Sequence, residues 1–255
     1  MSDAHHLAST PGWPEIVRKI RARTPARILL QRGAAYTTQV ELELRAAHAS
    51  AVDAVWTEFD LQKDFPPDFI AQWELFQVSS QAESKSQFLL RPDLGRRLSD
   101  PAKRLIAKRC HHAPDLQVVL GDGLSVTAIS MQGTALFPLL QQKGRALGWL
   151  IGQSFAVRYC RVGIMNDVGE LLSPRVLVLL IGERPGLATA ESLSAYMAYC
   201  PRSGHTDADR NLISNIHARG VRVEDAVDRI LSLASHMMAL KVSGSTVKEG
   251  VARLA

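Results

Sequence analysis

Residues 175–217 read RVLVLLIGERPGLATAESLSAYMAYCPRSGHTDADRNLISNIH. The uninterrupted apolar run over 176–181 ends abruptly at Gly182 and Pro185, which predicts a strand that is buried on both faces, as in a parallel sheet. Open α/β sheets bind their ligands at the carboxyl ends of such strands. The turn that begins at Gly182 is therefore the first candidate for a ligand site.

The residues after this turn divide into a predicted helix and a polar segment. Thr189 can cap a helix with its hydroxyl, and Glu191 would then face the positive end of the helix dipole, so we expect a helix to begin near Thr189. Residues 201–211 show no regular period and are dense in charged and amide side chains. This irregular segment is a second candidate for ligand recognition.

The rest of the C-terminal part alternates between strand and helix patterns. Apolar runs predict strands over 117–120 and 155–162, and helical spacing predicts helices from about 126 to 147, over 164–172 and over 223–240. Strands that alternate with helices favour the α/β class. We predict a small, mainly helical N-terminal region followed by a Rossmann-like, doubly wound domain with a parallel sheet.

The boundary between these two parts is predicted near residue 85. Residues 79–87 read SSQAESKSQ, a polar stretch that is typical of a linker. We expect residues 1–85 to form the helical region, with about the first 12 residues flexible, and residues 86–255 to form the binding domain.

The composition is that of an ordinary globular protein with a basic surplus. The net charge is +5, which admits a nucleic acid, an anionic ligand or an acidic partner, although a solvated basic face explains it equally simply. The cysteines Cys110, Cys160 and Cys200 lack zinc or disulfide spacing, which favours a reducing compartment. Since no run is long enough to span a membrane, we expect a cytoplasmic location without membrane binding.

The motifs predict a binding domain without catalytic machinery. The turn GDGLS at 121–125 is neither a dinucleotide fingerprint nor a P-loop. The segment that starts at Asp207 resembles a calcium loop, but Leu212 and Ala218 stand where that loop needs Gly and Glu. From the residues we therefore predict neither a catalytic group nor a metal site, and Cys160 and Cys200 are more simply packing residues than reactive thiols.

Several long motifs, in this order and spacing, resemble the small (light) subunit of ethanolamine ammonia-lyase. They are LRPDLGRRL at 90–98, QVVLGDGLS at 117–125, VRYCRV at 157–162, GERPGL at 182–187, ESLSAY at 191–196, YCPRSG at 199–204 and TDADRNLISNI at 206–216. The resemblance covers about residues 88–240 well and the N-terminal part loosely.

This resemblance implies a hetero-oligomer with a large subunit, a (β/α)8 barrel that holds substrate and catalytic groups. Adenosylcobalamin would lie between the subunits, with its nucleotide side towards this chain. The complex would convert ethanolamine to acetaldehyde and ammonia by a radical mechanism. The leading segment is shorter than in family members whose N-terminus is linked to bacterial microcompartments, so encapsulation is left open.

The cobalamin contacts of the family fall on Val162, Glu183 and Leu212. Val162 could offer an apolar or backbone contact, and Glu183 could accept hydrogen bonds from amide or hydroxyl groups of the cofactor. Leu212 stands where family members carry Cys, so its contact would be apolar or through the backbone. For Glu183, an ion pair with Arg184 or Arg202 at the strand end is the structural alternative.

An alternative function, of a different kind, is also compatible with the sequence. A basic α/β protein could bind a nucleotide or a nucleic acid without any catalytic partner. The sequence favours it little, because its Arg and Lys residues are spread rather than striped and its aromatic content is only 6%. We therefore expect no specific nucleic-acid partner.

Overall fold

A computed structural model describes residues 15, 18–19, 38–186 and 189–249. From residue 38 onward the helices are α1 (Thr38–Trp56), α2 (Leu61–Asp64), α3 (Pro67–Gln72), α4 (Lys85–Leu90), α5 (Asp100–Arg109), α6 (Val126–Ala146), α7 (Ile164–Leu172) and α8 (Val223–Leu240). The strands are β1 (Phe76–Ser79), β2 (Leu116–Gly121), β3 (Phe155–Arg158), β4 (Val176–Gly182), β5 (Leu193–Tyr199) and β6 (Asn211–Ile216). The predicted flexible segment 1–12 lies outside the described residues.

The six strands form one mixed sheet in the order β1-β3-β2-β4-β5-β6. The first four strands are parallel to one another, whereas β5 and β6 pair antiparallel. The fold is therefore α/β with a mainly parallel sheet, which agrees with the predicted class. The sheet departs from a purely parallel one at β5.

Strand β4 lies in the middle of the sheet, and all seven of its residues are buried. Val178 and Leu180 belong to a core with residues of α6 and α8, whereas Leu177 and Leu179 belong to a core with residues of α5 and α7. Burial on both faces is thus confirmed. Strand β4 pairs parallel with β2 and antiparallel with β5, so the predicted parallel pairing is found on one side of β4 only.

The helix predicted near Thr189 is wrong, because residues 193–199 form strand β5. The hydroxyl of Thr189 does accept a hydrogen bond from the backbone N–H of Glu191 (3.0 Å), but it closes a turn and not a helix. The backbone of residues 193–199 forms its hydrogen bonds by antiparallel pairing along the whole length of β4. This pairing outweighs the local preference for a helix capped by Thr189.

The polar segment 201–211 is partly ordered by its own side chains. Thr206 caps a short 3-10 turn over Asp207–Asp209, and Asp209 accepts hydrogen bonds from the Thr206 backbone N–H (2.7 Å) and hydroxyl (3.0 Å). Strand β6 follows at the edge of the sheet. Its exposed residues hid it from the sequence prediction.

The other predicted elements agree with the structure, except that β3 ends at Arg158 and not at the predicted residue 162. Helix α8 has the predicted bounds, and α6 and α7 match closely. Strand β1 precedes residue 85 and pairs with β3, so the sheet begins before the predicted boundary. Among the described helices, none combines the length and apolar character needed to cross a bilayer.

Candidate functional site

A cavity of about 410 Å³ opens at the carboxyl ends of the parallel strands; we term it the strand-end cavity. Its apolar lining includes Cys160, Val162, Ile181, Tyr196 and Leu212. Its polar lining includes Arg161, Glu183, Arg184, Ser194 and Ser214. The cavity forms because the loops after β3 and β4 leave the sheet beside the antiparallel pair β5 and β6, as expected for a ligand site of an α/β sheet.

The three residues implied by the family resemblance all line this cavity. Val162 follows β3 and is half-buried, Glu183 follows β4, and Leu212 lies on β6 with 45% of its surface exposed. Residues from three separate parts of the chain are thus brought to one place. Their contact with a cofactor stays a prediction.

Glu183 is held by neutral donors from two neighbouring strands. Its Oε1 accepts hydrogen bonds from the Ser194 hydroxyl (2.6 Å) and the Asn215 backbone N–H (2.8 Å). Its Oε2 accepts one from the Ser192 hydroxyl (2.7 Å). Among the residues that the structure describes, Glu183 has no ion-pair partner within 4.0 Å. The ion pair with Arg184 or Arg202 is therefore not formed, and the carboxylate joins the end of β4 to β5 and β6.

Sequence reasoning missed Ser192 and Ser194, although both are buried beside Glu183. The available signal was the spacing S-L-S at 192–194, which places two hydroxyls on one face of a strand. It was overlooked because the segment was assigned to a helix, where residues two apart lie on different faces. Each hydroxyl that donates to Glu183 keeps acceptor capacity for a ligand.

The turn GDGLS (residues 121–125) stabilises the chain behind the cavity. The Asp122 carboxylate is buried and accepts hydrogen bonds from the backbone N–H groups of Tyr159 (2.8 Å) and Cys160 (2.7 Å). Ser125 caps α6 through the Ala128 N–H. This turn therefore fixes the chain that leaves β3 and carries Val162 to the cavity.

Electrostatics at the back of the cavity follow from burial. Burial raises the pKa of Asp122 to about 6, although the two backbone N–H donors and the charge of Lys85 act in the opposite direction. Burial likewise raises the pKa of the Cys160 thiol well above its ordinary value. At neutral pH Asp122 is ionised and Cys160 is a protonated packing residue, so the thiol is no nucleophile here.

Comparison with known proteins gives a family. The family model of the ethanolamine ammonia-lyase light chain matches residues 14–248. The ethanolamine ammonia-lyase small subunit of Clostridium perfringens is 39% identical over 243 residues, which cover 95% of this chain and 80% of the relative. The small subunit of Fusobacterium nucleatum is 40% identical over 231 residues, 90% of this chain and 76% of the relative. That of Clostridium acetobutylicum is 38% identical over 231 residues, 90% of this chain and 93% of the relative.

The match extends over almost the whole chain and includes every element that surrounds the strand-end cavity. The chain belongs to the ethanolamine ammonia-lyase small (light) subunit family.

Proposed function

We propose that this chain is the small subunit of an adenosylcobalamin-dependent ethanolamine ammonia-lyase, and that it holds one side of the cofactor at the interface with a catalytic large subunit. The observation that carries the proposal is the meeting of Val162, Glu183 and Leu212 around one cavity. Bound adenosylcobalamin would supply the radical chemistry that converts ethanolamine to acetaldehyde and ammonia. This chain would bind and orient the cofactor.

The lining of the strand-end cavity fits part of a large amphipathic cofactor. Val162 and Leu212 offer apolar surface, and Ser194 offers acceptor capacity beside the Glu183 carboxylate. Arg161 adds a guanidinium to the polar part of this lining. Apolar surface with a few oriented polar groups is typical of cofactor sites.

The size of the cavity supports an interface site. A volume of about 410 Å³ lies within the range of roughly 300–1,000 Å³ that encloses drug-sized ligands, and adenosylcobalamin is a larger molecule. A second surface must therefore cover the rest of it. Leu212 on the edge strand β6 is 45% exposed and is available to such a partner.

The residues of this chain suit binding better than catalysis. Glu183 already accepts three hydrogen bonds, and Cys160 is protonated because burial raises its pKa. We therefore assign the catalytic groups to the large subunit. The chain is a carbon–nitrogen lyase only as part of the hetero-oligomer.

We extend the proposal to the organisation of the chain. Residues 86–255 would act as a Rossmann-like, doubly wound cobalamin-binding domain, since helices cover both faces of the parallel strands. Residues 1–85 would form the mainly helical region that contacts the partner, with strand β1 of this region joined to the sheet of the binding domain. The complex would work in the cytoplasm.

The decisive experiment is co-expression of this chain with the large subunit from the same source. We expect the two to copurify, to retain added adenosylcobalamin on a sizing column, and to produce acetaldehyde from ethanolamine. The large subunit without this chain is the control, and it should retain little cofactor. Equal cofactor retention with and without this chain would overturn its role in binding.

A further inference from the structure

A second cavity, of about 450 Å³, shares Arg161 and Val162 with the strand-end cavity. Four arginines line it, namely Arg96, Arg97, Arg161 and Arg210, and we term it the arginine cavity. Among the described residues that line it, Asp207 is the single carboxylate. The lining of the arginine cavity therefore carries more cations than carboxylates.

Two of these arginines are neutralised within the fold. The Arg97 guanidinium donates to the buried Asp167 carboxylate (2.9 Å). The Arg210 side chain, only 4% exposed, pairs with Asp207 and also donates to the Asn166 side chain (3.0 Å). Both cations therefore have a carboxylate partner within the fold.

Arg96 and Arg161 are in a different position. Across residues 38–186 and 189–249, no carboxylate lies within 4.0 Å of either guanidinium, and the same holds for Arg184 in the adjoining strand-end cavity. Arg161 stacks on the Phe88 ring (4.3 Å from the centroid) and donates to the Phe88 carbonyl oxygen (3.3 Å). Its Nε is buried and has no acceptor.

The pair is built into the fold by two glycines. A Cβ atom on Gly163 would lie 2.8 Å from Cγ of Arg96, and a Cβ atom on Gly95 would lie 2.7 Å from Cγ of Arg161. The backbone N–H of Arg161 also donates to the Gly95 carbonyl oxygen (2.8 Å). The two arginine stems therefore pack reciprocally on glycine, which places both at the wall of one cavity.

This arrangement concentrates positive charge at the junction of the cavities. Burial lowers the pKa of Arg161, and the nearby charges of Arg96 and Arg184 lower it further, whereas the buried Asp122 carboxylate acts in the opposite direction. Like charges held close together disfavour the charged state, and a bound anion relieves that cost. The first turn of α7, which begins beside Gly163 on the wall of the same cavity, adds the partial positive charge of a helix start.

We propose that Arg96 and Arg161 bind a phosphoryl oxyanion where the two cavities meet, and that this oxyanion is the phosphodiester of the nucleotide arm of cobalamin. The proposal rests on the proposed function, because it assumes that the corrinoid occupies the adjoining strand-end cavity. The phosphodiester is the permanently anionic group on the outer arms of that molecule. A planar guanidinium matches two phosphate oxygens, which an ammonium group cannot do.

The test measures corrinoid affinity of the reconstituted complex by equilibrium dialysis. Three probes are used in their cyano forms: cobalamin, cobinamide phosphate and cobinamide, of which only the last lacks the phosphate. Arg96→Gln should weaken the binding of cobalamin and cobinamide phosphate about tenfold or more, the loss expected for a hydrogen bond to a charged group. The affinity for cobinamide should stay within about twofold.

Two further variants separate charge from structure. Arg104→Gln removes the same charge from an exposed position that lines neither cavity, and it should leave all three affinities unchanged. Gly163→Ala keeps the charge but displaces the Arg96 stem. It should weaken the binding of cobalamin and cobinamide phosphate less than Arg96→Gln does, and it should likewise spare the binding of cobinamide.

The outcomes are distinguishable. A loss of affinity in Arg96→Gln that is equal for all three probes would make Arg96 a structural residue and overturn the inference. Unchanged corrinoid affinity with weaker subunit association would assign the cavity to a carboxylate of the partner. Stabilisation by inorganic phosphate, without any effect of Arg96→Gln on corrinoids, would assign it to free phosphate. If the wild-type complex binds none of the probes, the proposed function is wrong and the inference falls with it.

Discussion

The Glu183 carboxylate has three protein donors, and this changes what its removal should do. The family resemblance predicts that Glu183 contacts the cofactor. In the structure it accepts from Ser192, Ser194 and Asn215, which come from β5 and β6 and their flanks. Loss of the carboxylate therefore affects both the fold and any ligand beside it.

We expect Glu183→Ala to lower the free energy of unfolding by about 1–3 kcal/mol, because three donors lose their acceptor in a partly buried site. Glu183→Gln is the matched control. Its amide oxygen can serve Asn215 and Ser194, and its NH2 can donate to the Ser192 hydroxyl, so stability should stay within about 0.5 kcal/mol of wild type. Urea unfolding of the chain and cobalamin titration of the complex measure the two effects. Equal stability of wild type and Glu183→Ala would contradict the role of the carboxylate as a clamp.

The buried Asp122 carboxyl predicts a pH effect. Its pKa in the folded chain is about 6 against an ordinary value of 3.8, so the folded state binds a proton between about pH 4 and 6 that the unfolded chain lacks. Its contribution to the free energy of unfolding therefore rises as the pH falls through this window, by up to roughly 3 kcal/mol at 1.36 kcal/mol per pKa unit.

Comparison with Asp122→Asn isolates this effect, because the amide does not titrate. The variant should be less stable than wild type at every pH, since an amide cannot accept from both backbone N–H groups of Tyr159 and Cys160. The stability difference should widen from pH 7 to pH 4 in urea unfolding experiments. A difference that is constant with pH would show that the carboxyl titrates normally.

At the scale of helices and strands, sequence patterns predicted the elements whose conformation follows from burial of apolar residues alone. Helix α8 has a clear apolar stripe and β4 an unbroken apolar run, and both were predicted with nearly the observed bounds. Strand β5 was missed because its backbone conformation depends on pairing with β4, which no local pattern encodes. Strand β6 was missed because a polar edge strand lacks the expected alternation.

Gly182, at the end of β4, contacts the turn after β2 so closely that we expect no side chain to fit there. A Cβ atom on Gly182 would meet the backbone carbonyl oxygen of Ser125 and lie 2.7 Å from that of Asp122. Since backbone atoms cannot move aside as a flexible side chain can, we expect Gly182→Ala to cost about 3 kcal/mol or more.

Gly133→Ala in α6 is the control for this prediction. There the new Cβ would lie 3.2 Å from the flexible end of Ile129, and alanine favours a helix by up to about 1 kcal/mol over glycine. We expect Gly133→Ala to stay within about 1 kcal/mol of wild type or to exceed it. Thermal and urea unfolding compare the two variants, and similar behaviour of both would refute the proposed backbone contact.

At the scale of the whole molecule, the sequence predicted the α/β class and the sheet edge that carries the candidate site. Val162, Glu183 and Leu212 were assigned by resemblance, and the structure brings them together. The pairing of Arg96 with Arg161 could not be foreseen, because it depends on two glycines from distant loops that pack reciprocally. Such contacts arise only when the complete fold is assembled.

The isolated chain should deaminate no ethanolamine, with or without adenosylcobalamin, because we assign the catalytic groups to the large subunit. Addition of the large subunit should restore acetaldehyde production in proportion to the complex formed. A coupled assay for acetaldehyde on the chain alone, purified under denaturing conditions and refolded, checks this. Turnover by the refolded chain would contradict the assignment.

The ribosome releases β1 well before the strand that pairs with it. Phe76 in β1 pairs with Phe155 in β3, and β2 must emerge between them. At about 5–20 residues per second, β1 waits on the order of ten seconds with its hydrogen-bonding edge open. Strands β2, β4 and β5 instead pair with their immediate successors. Nascent chains that stall before residue 155 should therefore depend most on chaperones, because an apolar strand with no partner is prone to aggregate.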